Sequence, residues 1–175
     1  MANVTEFRNA IRSGLARQHK WRCIINFPDF AGGNADVKQA SLLARTANTP
    51  SSTVGVIDLP WGGRILPVPG DRTFEEFTVN FIAVNDMNVR NAFERWSEGI
   101  NGSASNTGFV NLDDFTKDLQ FDMLDVNENV TKTYVLKDAW PQMVEGMTMD
   151  SGSQDSYAEF QVVFRYVNYE SNTTR

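Results

Sequence analysis

The chain has 175 residues, 41% of them hydrophobic and 11% aromatic, which is enough for one domain with a sizeable core and too apolar for a disordered segment. Its 22 acidic and 16 basic residues leave a net charge of -6, which argues against nucleic-acid binding, because phosphate contacts need clustered Lys and Arg. A single cysteine, Cys23, and a single histidine, His19, exclude an internal disulfide, four-ligand Cys/His zinc sites and His-pair metal motifs.

Val4 to Gln18 reads as a short helix, with Phe7, Ile11 and Leu15 on one stripe and Asn3 or Thr5 as cap. So short a helix needs a surface to pack on, in its own domain or on a neighbour. Arg8, Arg12, Arg17, Lys20 and Arg22 cluster here. They suit a solvated face or a contact with an acidic patch on a neighbouring subunit, with DNA a distant third. No apolar run has signal-peptide or membrane-span length, so synthesis and assembly in a cytoplasm are expected. Trp21 to Phe27 alternates as a strand that Pro28 ends, and it carries Cys23 as a core residue. Phe30 to Asp36 reads as a turn, and Val37 to Thr46 as a second strand.

Thr53 to Leu59 is a third strand, Gly62-Gly63 a hairpin turn, and Arg64 to Val68 a fourth strand. Pro67 and Pro69 cannot donate to a ladder, so 53–70 is expected to be a sheet edge or a projecting hairpin, with Trp61 as a natural subunit contact. Pro69-Gly70 then reads as a turn carrying the charged tip Asp71-Arg72 into a strand from Phe74 to Val84. Asp86 caps a helix over 86–98, with Val89, Phe93 and Trp96 buried and Gly99 as its stop. Residues 101–111 form a Gly/Ser/Asn-rich loop. Asp118 to Val126 and Thr131 to Asp138 are paired strands, the second broken by Trp140-Pro141. Tyr157 to Tyr169 is the last strand. No repeat or linker divides 1–175, so a single domain is expected, with 1–20 as a helical arm. The fold class is mainly β: an antiparallel β-sandwich or small barrel of about seven or eight strands, one embedded α-helix and a short N-terminal helix.

Motifs for chemistry are weak. Ser-His-Asp catalysis needs His19, which sits in a surface-like Gln-His-Lys context, and Cys23 has no group to orient His19 as its base. Glu75 and Glu76 point to opposite faces of a strand, so they cannot act together as glycosidase carboxylates. Asp113-Asp114 reads as solvated charge. Asp118, Gln120 and Asp122 share a face that suits either a divalent cation or a polar channel wall. There is no phosphate-binding glycine loop. No enzyme activity, cofactor or metal is expected.

Three segments carry a resemblance: Gly70-Asp71-Arg72-Thr73-Phe74-Glu75-Glu76-Phe77-Thr78-Val79, the helix Val89 to Trp96, and Leu136-Lys137-Asp138-Ala139-Trp140-Pro141 followed by the strand Phe160 to Tyr166. In this order they resemble the tail tube proteins of contractile-tailed bacteriophages, a family related to type VI secretion and pyocin tube proteins. The resemblance implies a virion protein whose copies form hexameric rings stacked into a tube. A tail sheath protein surrounds that tube, a tape-measure protein sets its length, and a baseplate hub lies at its end. DNA passes through the lumen without specific binding. The alternative is the tube of a pyocin-like or type VI secretion injection machine. An acidic wall repels phosphate, so Asp58, Glu76, Asp118 and Asp122 are lumen-lining candidates. Phe7, Ile11, Trp61, Arg64, Asp71 and Arg72 are candidates for contacts between subunits.

Overall fold

The computed structural model describes residues 3–12, 14–32 and 35–174. Among them the elements run α1 (Val4–Ala10), β1 (Trp21–Ile25), α2 (Ala35–Leu43), β2 (Ala44–Ala47), β3 (Ser52–Trp61), β4 (Arg64–Phe74), β5 (Phe77–Ile82), α3 (Asn88–Ile100), α4 (Leu112–Phe115), β6 (Lys117–Leu124), β7 (Val130–Val144), β8 (Glu159–Arg165) and β9 (Asn168–Ser171). The fold is mainly β and antiparallel, as the alternating segments require.

One seven-stranded sheet has the order β1-β6-β7-β8-β5-β2, with β9 also paired to β7. Strand β7 makes this sheet fold over on itself. Residues up to Ala139 pair with β6 and β9, whereas Trp140 to Val144 pair with β8. Near the end of the first stretch Asp138 adopts φ 52, a left-handed kink just before the strand passes from one half-sheet to the other. The Asp118 carboxylate braces the kink by accepting from the Asp138 N–H at 3.2 Å and from Lys137 Nζ at 2.7 Å.

The core lies between the half-sheets. Cys23, Ile25, Leu119 and Phe121 come from one half, and Phe77, Val79, Phe81, Phe160, Val162 and Phe164 from the other. Phe77 and Phe121 meet edge to face across the gap at 6.0 Å. Helix α3 closes the core with Val89, Ala92, Phe93 and Trp96, positions that share one face of a 3.6-residue period. Phe93 packs on Phe81 at 5.3 Å and Phe164 at 5.8 Å. The Trp96 indole N–H donates to the Phe115 carbonyl at 2.7 Å, so its buried polar end is satisfied.

Several sequence expectations need correction. Val37 to Thr46 is helix α2 followed by the short strand β2. Lys38, Gln39, Ala40, Leu42 and Leu43 are good helix formers without period-2 alternation, and the three-residue spacing of Val37, Ala40 and Leu43 turns these side chains toward the core. No turn forms at Pro69-Gly70; β4 continues to Phe74. Gly70 instead faces Gly55 across a bulge, where a Cβ would lie 3.3 Å from the Gly55 backbone. Trp140-Pro141 does not end β7, because a register shift past Pro141 absorbs the missing donor. Helix α1 ends at Ala10 and not at Gln18. Gly99 does not stop α3; it lets the Phe30 ring lie against the helix, where a Cβ would come within 2.3 Å. The strand expected from Phe74 starts at Phe77, and the last strand divides into β8 and β9. The turn expected over Phe30 to Asp36 and the middle of the expected N-terminal helix fall partly outside the described residues.

Candidate assembly surfaces

Among the described residues, strands β3 and β4 pair only with each other, forming a separate two-stranded ribbon. Gly62 and Gly63 close it with φ 56 and 78, the two positive values that a tight hairpin turn with matching twist demands. Ten residues of β3 extend about 33 Å at 3.3 Å each. The ribbon is tied to the domain only near its base, where the Phe74 ring packs on Tyr169 at 5.6 Å and Tyr166 at 6.1 Å.

Cross-strand register sorts the ribbon side chains by face. Ile57, Leu59 and Trp61 share one face with Arg64, Leu66 and Val68; Val56, Asp58 and Pro60 share the other with Ile65, Pro67 and Pro69. Both faces are therefore apolar. Neither is covered: Trp61 is 85% exposed, and Val56, Ile57, Leu59, Ile65 and Leu66 are all exposed. A strand pair that feeds a core on one side shows alternation. This one shows none, and that absence of alternation in Val-Ile-Asp-Leu-Pro-Trp is the signal that could have revealed a two-sided surface.

Helix α1 is also unsupported. It has no buried residue, and Phe7 is 65% exposed. Its geometry is secured locally: the Asn3 side chain accepts from the Thr5 N–H at 3.3 Å, and Glu6 accepts from the Asn3 N–H at 3.1 Å. Ile11, just past its end, is half-buried. Arg64, Asp71 and Arg72 are exposed along the ribbon, Arg64 beside its tip and the other two near its base, so the six contact candidates fall on the arm and the ribbon.

The four acidic candidates do not form one cluster. Asp58 is exposed on the ribbon. Glu76 follows β4 and pairs with Arg165 at 2.6 Å. Asp118 pairs with Lys137 on the outer face of β6. Asp122 has no exposed surface. It accepts from Arg22 Nε at 2.7 Å, from Gln120 at 2.9 Å and from the Thr133 hydroxyl at 2.8 Å. Burial pushes its carboxyl up, but these hydrogen bonds and the Arg22 charge outweigh burial and hold it below the ordinary aspartate range. A carboxylate buried beneath its partners and paired with Arg22 is a poorer source of wall charge than the exposed Asp58. Sequence alternation assigned the face correctly and could not show the lid formed by Arg22.

Cys23 is buried, and burial first, then the Asp122 charge, pushes its thiol up to about 12. It is a core residue. Among the described residues no cluster of His, Cys, Asp and Glu could hold a metal ion, and no helix is long and apolar enough to cross a membrane.

The ribbon and helix α1 are thus two uncovered apolar surfaces on an otherwise well-packed domain. Residues 17–172 match the family model of the phage tail tube protein. Over 177 aligned residues, all of both chains, the sequence is 44% identical to the tail tube protein of Serratia phage KSP90. The fold resembles that of a chain in the tube-terminating cap of the anti-feeding prophage, with TM-score 0.68, 14% identity and 91% of each chain covered. It also resembles that of a chain in the extended sheath-tube complex of PVC, an extracellular contractile injection system, with TM-score 0.63, 12% identity and 98% and 99% of the two chains covered. The chain belongs to the phage tail tube protein family. It is a structural component of a phage tail, and so of the virion.

Proposed function

We propose that this chain forms hexameric rings that stack into the inner tube of a contractile tail. The sheath surrounds that tube, a tape-measure protein sets its length, and a baseplate hub caps its end. Assembly takes place in the host cytoplasm, and the lumen conducts DNA without specific binding. The role is structural and needs no catalytic group.

The observation that carries this reading is the two-faced ribbon. Burying a large apolar side chain completely contributes about 1.5–3 kcal/mol. The six exposed ribbon side chains have roughly half to four-fifths of their surface left to bury, so together they supply about 5–10 kcal/mol. Association costs about 4–15 kcal/mol, so the ribbon offsets much of that term and the arm and other edges supply the rest. An apolar surface on both faces calls for cover on both sides, as a slot between neighbouring copies provides. Head-to-tail contacts of this heterologous kind close rings or extend tubes.

Electron microscopy of the purified protein across a concentration series tests the proposal. Sixfold rings or tubes are expected. A chain that remains a monomer at millimolar concentration overturns it.

A further inference from the structure

The chain carries an apolar, cation-rimmed cavity at one pole and an exposed acidic-apolar loop at the other, and we infer that the loop of one copy seats in the cavity of the next. This inference rests on the tube reading above and names a contact within it.

The cavity, about 440 Å³, lies where the start of β1, the end of β6 and β2 converge. Trp21, Phe121 and Met123 line it, the first two stacked at 5.6 Å and 25°. Arg17, Lys20 and Arg45 rim it. Lys20 pairs with Glu128 and Arg45 with Glu159. Arg17 is exposed and has no ionic partner among the described residues. An apolar cavity with a cationic lip selects an occupant that is apolar at its centre and acidic at its flank.

Loop 109–114 has that chemistry. Val110 is 93% exposed and Leu112 60% exposed, so both leave their apolar surface in water. Asp113 and Asp114 follow in the first turn of α4, and neither has a salt bridge among the described residues. Phe109 fixes the root of the loop by packing on Phe30 at 4.7 Å.

The two features sit at opposite ends of β6. The loop precedes Lys117, and the cavity is built at Phe121 and Met123. Phe121 and Met123 lie four and six residues past Lys117, which separates the two features by roughly 14–20 Å at about 3.4 Å each. A loop cannot fold back over that distance into the cavity of its own chain. Matching surfaces at opposite poles suit a heterologous contact directed along the strand, which repeats from copy to copy.

Paired cysteines test this. V110C together with T49C, on the cavity wall, should give an intermolecular disulfide ladder on non-reducing gels from assembled protein, and neither single variant should. The buried Cys23 does not compete. Charge reversal gives a second readout: Arg17→Glu should raise the concentration needed for assembly about tenfold, and adding Asp113→Arg with Asp114→Arg should recover most of it. Tubes that form normally without the ladder, and without a response to Arg17→Glu, overturn the inference and leave the tube reading standing. Failure of the unaltered protein to assemble at all overturns both.

Discussion

Asp122 shows how strand alternation can give a carboxylate's face without giving its burial. Its place opposite Leu119 and Phe121 follows from strand alternation, but its burial depends on Arg22, which lies a hundred positions away in sequence and pairs across β1 and β6. No local pattern encodes that closure. Replacing Asp122 by Asn removes the charge that Arg22 answers and sets an amide against the donor of Gln120. Because Arg22 is half-exposed and can re-solvate, the expected loss is about 2 kcal/mol, below the roughly 3–5 kcal/mol of a fully buried broken pair, read as a lower midpoint in urea. The carboxyl is held below its ordinary value in the folded state, so its contribution is present above the unfolded value near 3.8 and is lost as pH falls through the lower folded value. The gap in stability between the parent and D122N should therefore narrow on acidification below about pH 4, and a gap that stays constant to pH 2 contradicts the assignment. Gly108 makes a second point at this scale. An added Cβ would lie 1.9 Å from the Ile100 carbonyl oxygen, a backbone atom that cannot swing aside. Gly108→Ala should lower the melting temperature by several degrees, about 2–4 °C for each kcal/mol lost in a chain of this size.

At the scale of elements, β7 is a single long strand serving two half-sheets, and its kink is local. Asp138 holds a left-handed backbone that Asp, Asn and Gly tolerate and β-branched residues do not. Asp138→Gly should leave stability within about 1 kcal/mol, while Asp138→Val should cost about 1–2 kcal/mol, measurable by chemical denaturation. Equal behaviour of the two variants would show that the kink is not under conformational control. Elements with a period strong enough to outvote their neighbours were legible in the sequence. Phe77 to Ile82, Leu119 to Met123, Phe160 to Phe164 and the stripe Val89-Phe93-Trp96 all appear with the inward faces their alternation indicates. Elements whose identity rests on partners were not. Helix α2 has only a weak amphipathic pattern and is fixed by the docking of Val37, Ala40 and Leu43. Pro69-Gly70 read as a turn and Pro141 as a breaker because sequence does not show where a strand carries a bulge or shifts register. Of the candidate surfaces, the hairpin with its Gly62-Gly63 turn was readable, while the loop at Val110 emerged only once exposure was known.

For the whole molecule, the ribbon separates folding from assembly. Strands β3 and β4 form no ladder with the seven-stranded sheet, and the core residues between the half-sheets lie outside the ribbon. Shortening it by removing 57–68 and joining the stubs with a Gly-containing turn should therefore leave a folded, soluble chain with the parent's β-rich circular dichroism spectrum. That chain should sediment as a monomer at concentrations where the parent forms rings. The parent's melting temperature should rise with protein concentration, because assembly binds the folded state alone, by RT ln(1 + [L]/Kd) per site; a hundredfold excess over Kd is worth about 2.7 kcal/mol. The shortened chain should melt at one temperature throughout. If it still forms tubes, the cover for the two apolar faces has another purpose. If it unfolds, the ribbon belongs to the folding unit after all. The same logic selects the residue for testing wall charge: reversing Glu76 or Asp118 breaks an ion pair inside the chain, whereas Asp58 has no salt bridge among the described residues. Asp58→Lys should, where that side chain faces the lumen, slow DNA release from virions, since a cation on the wall attracts phosphate that an anion repels; where a neighbouring copy covers that face of the ribbon, it should instead lower tube formation. Release at the parental rate from tails carrying Asp58→Lys removes Asp58 from the wall.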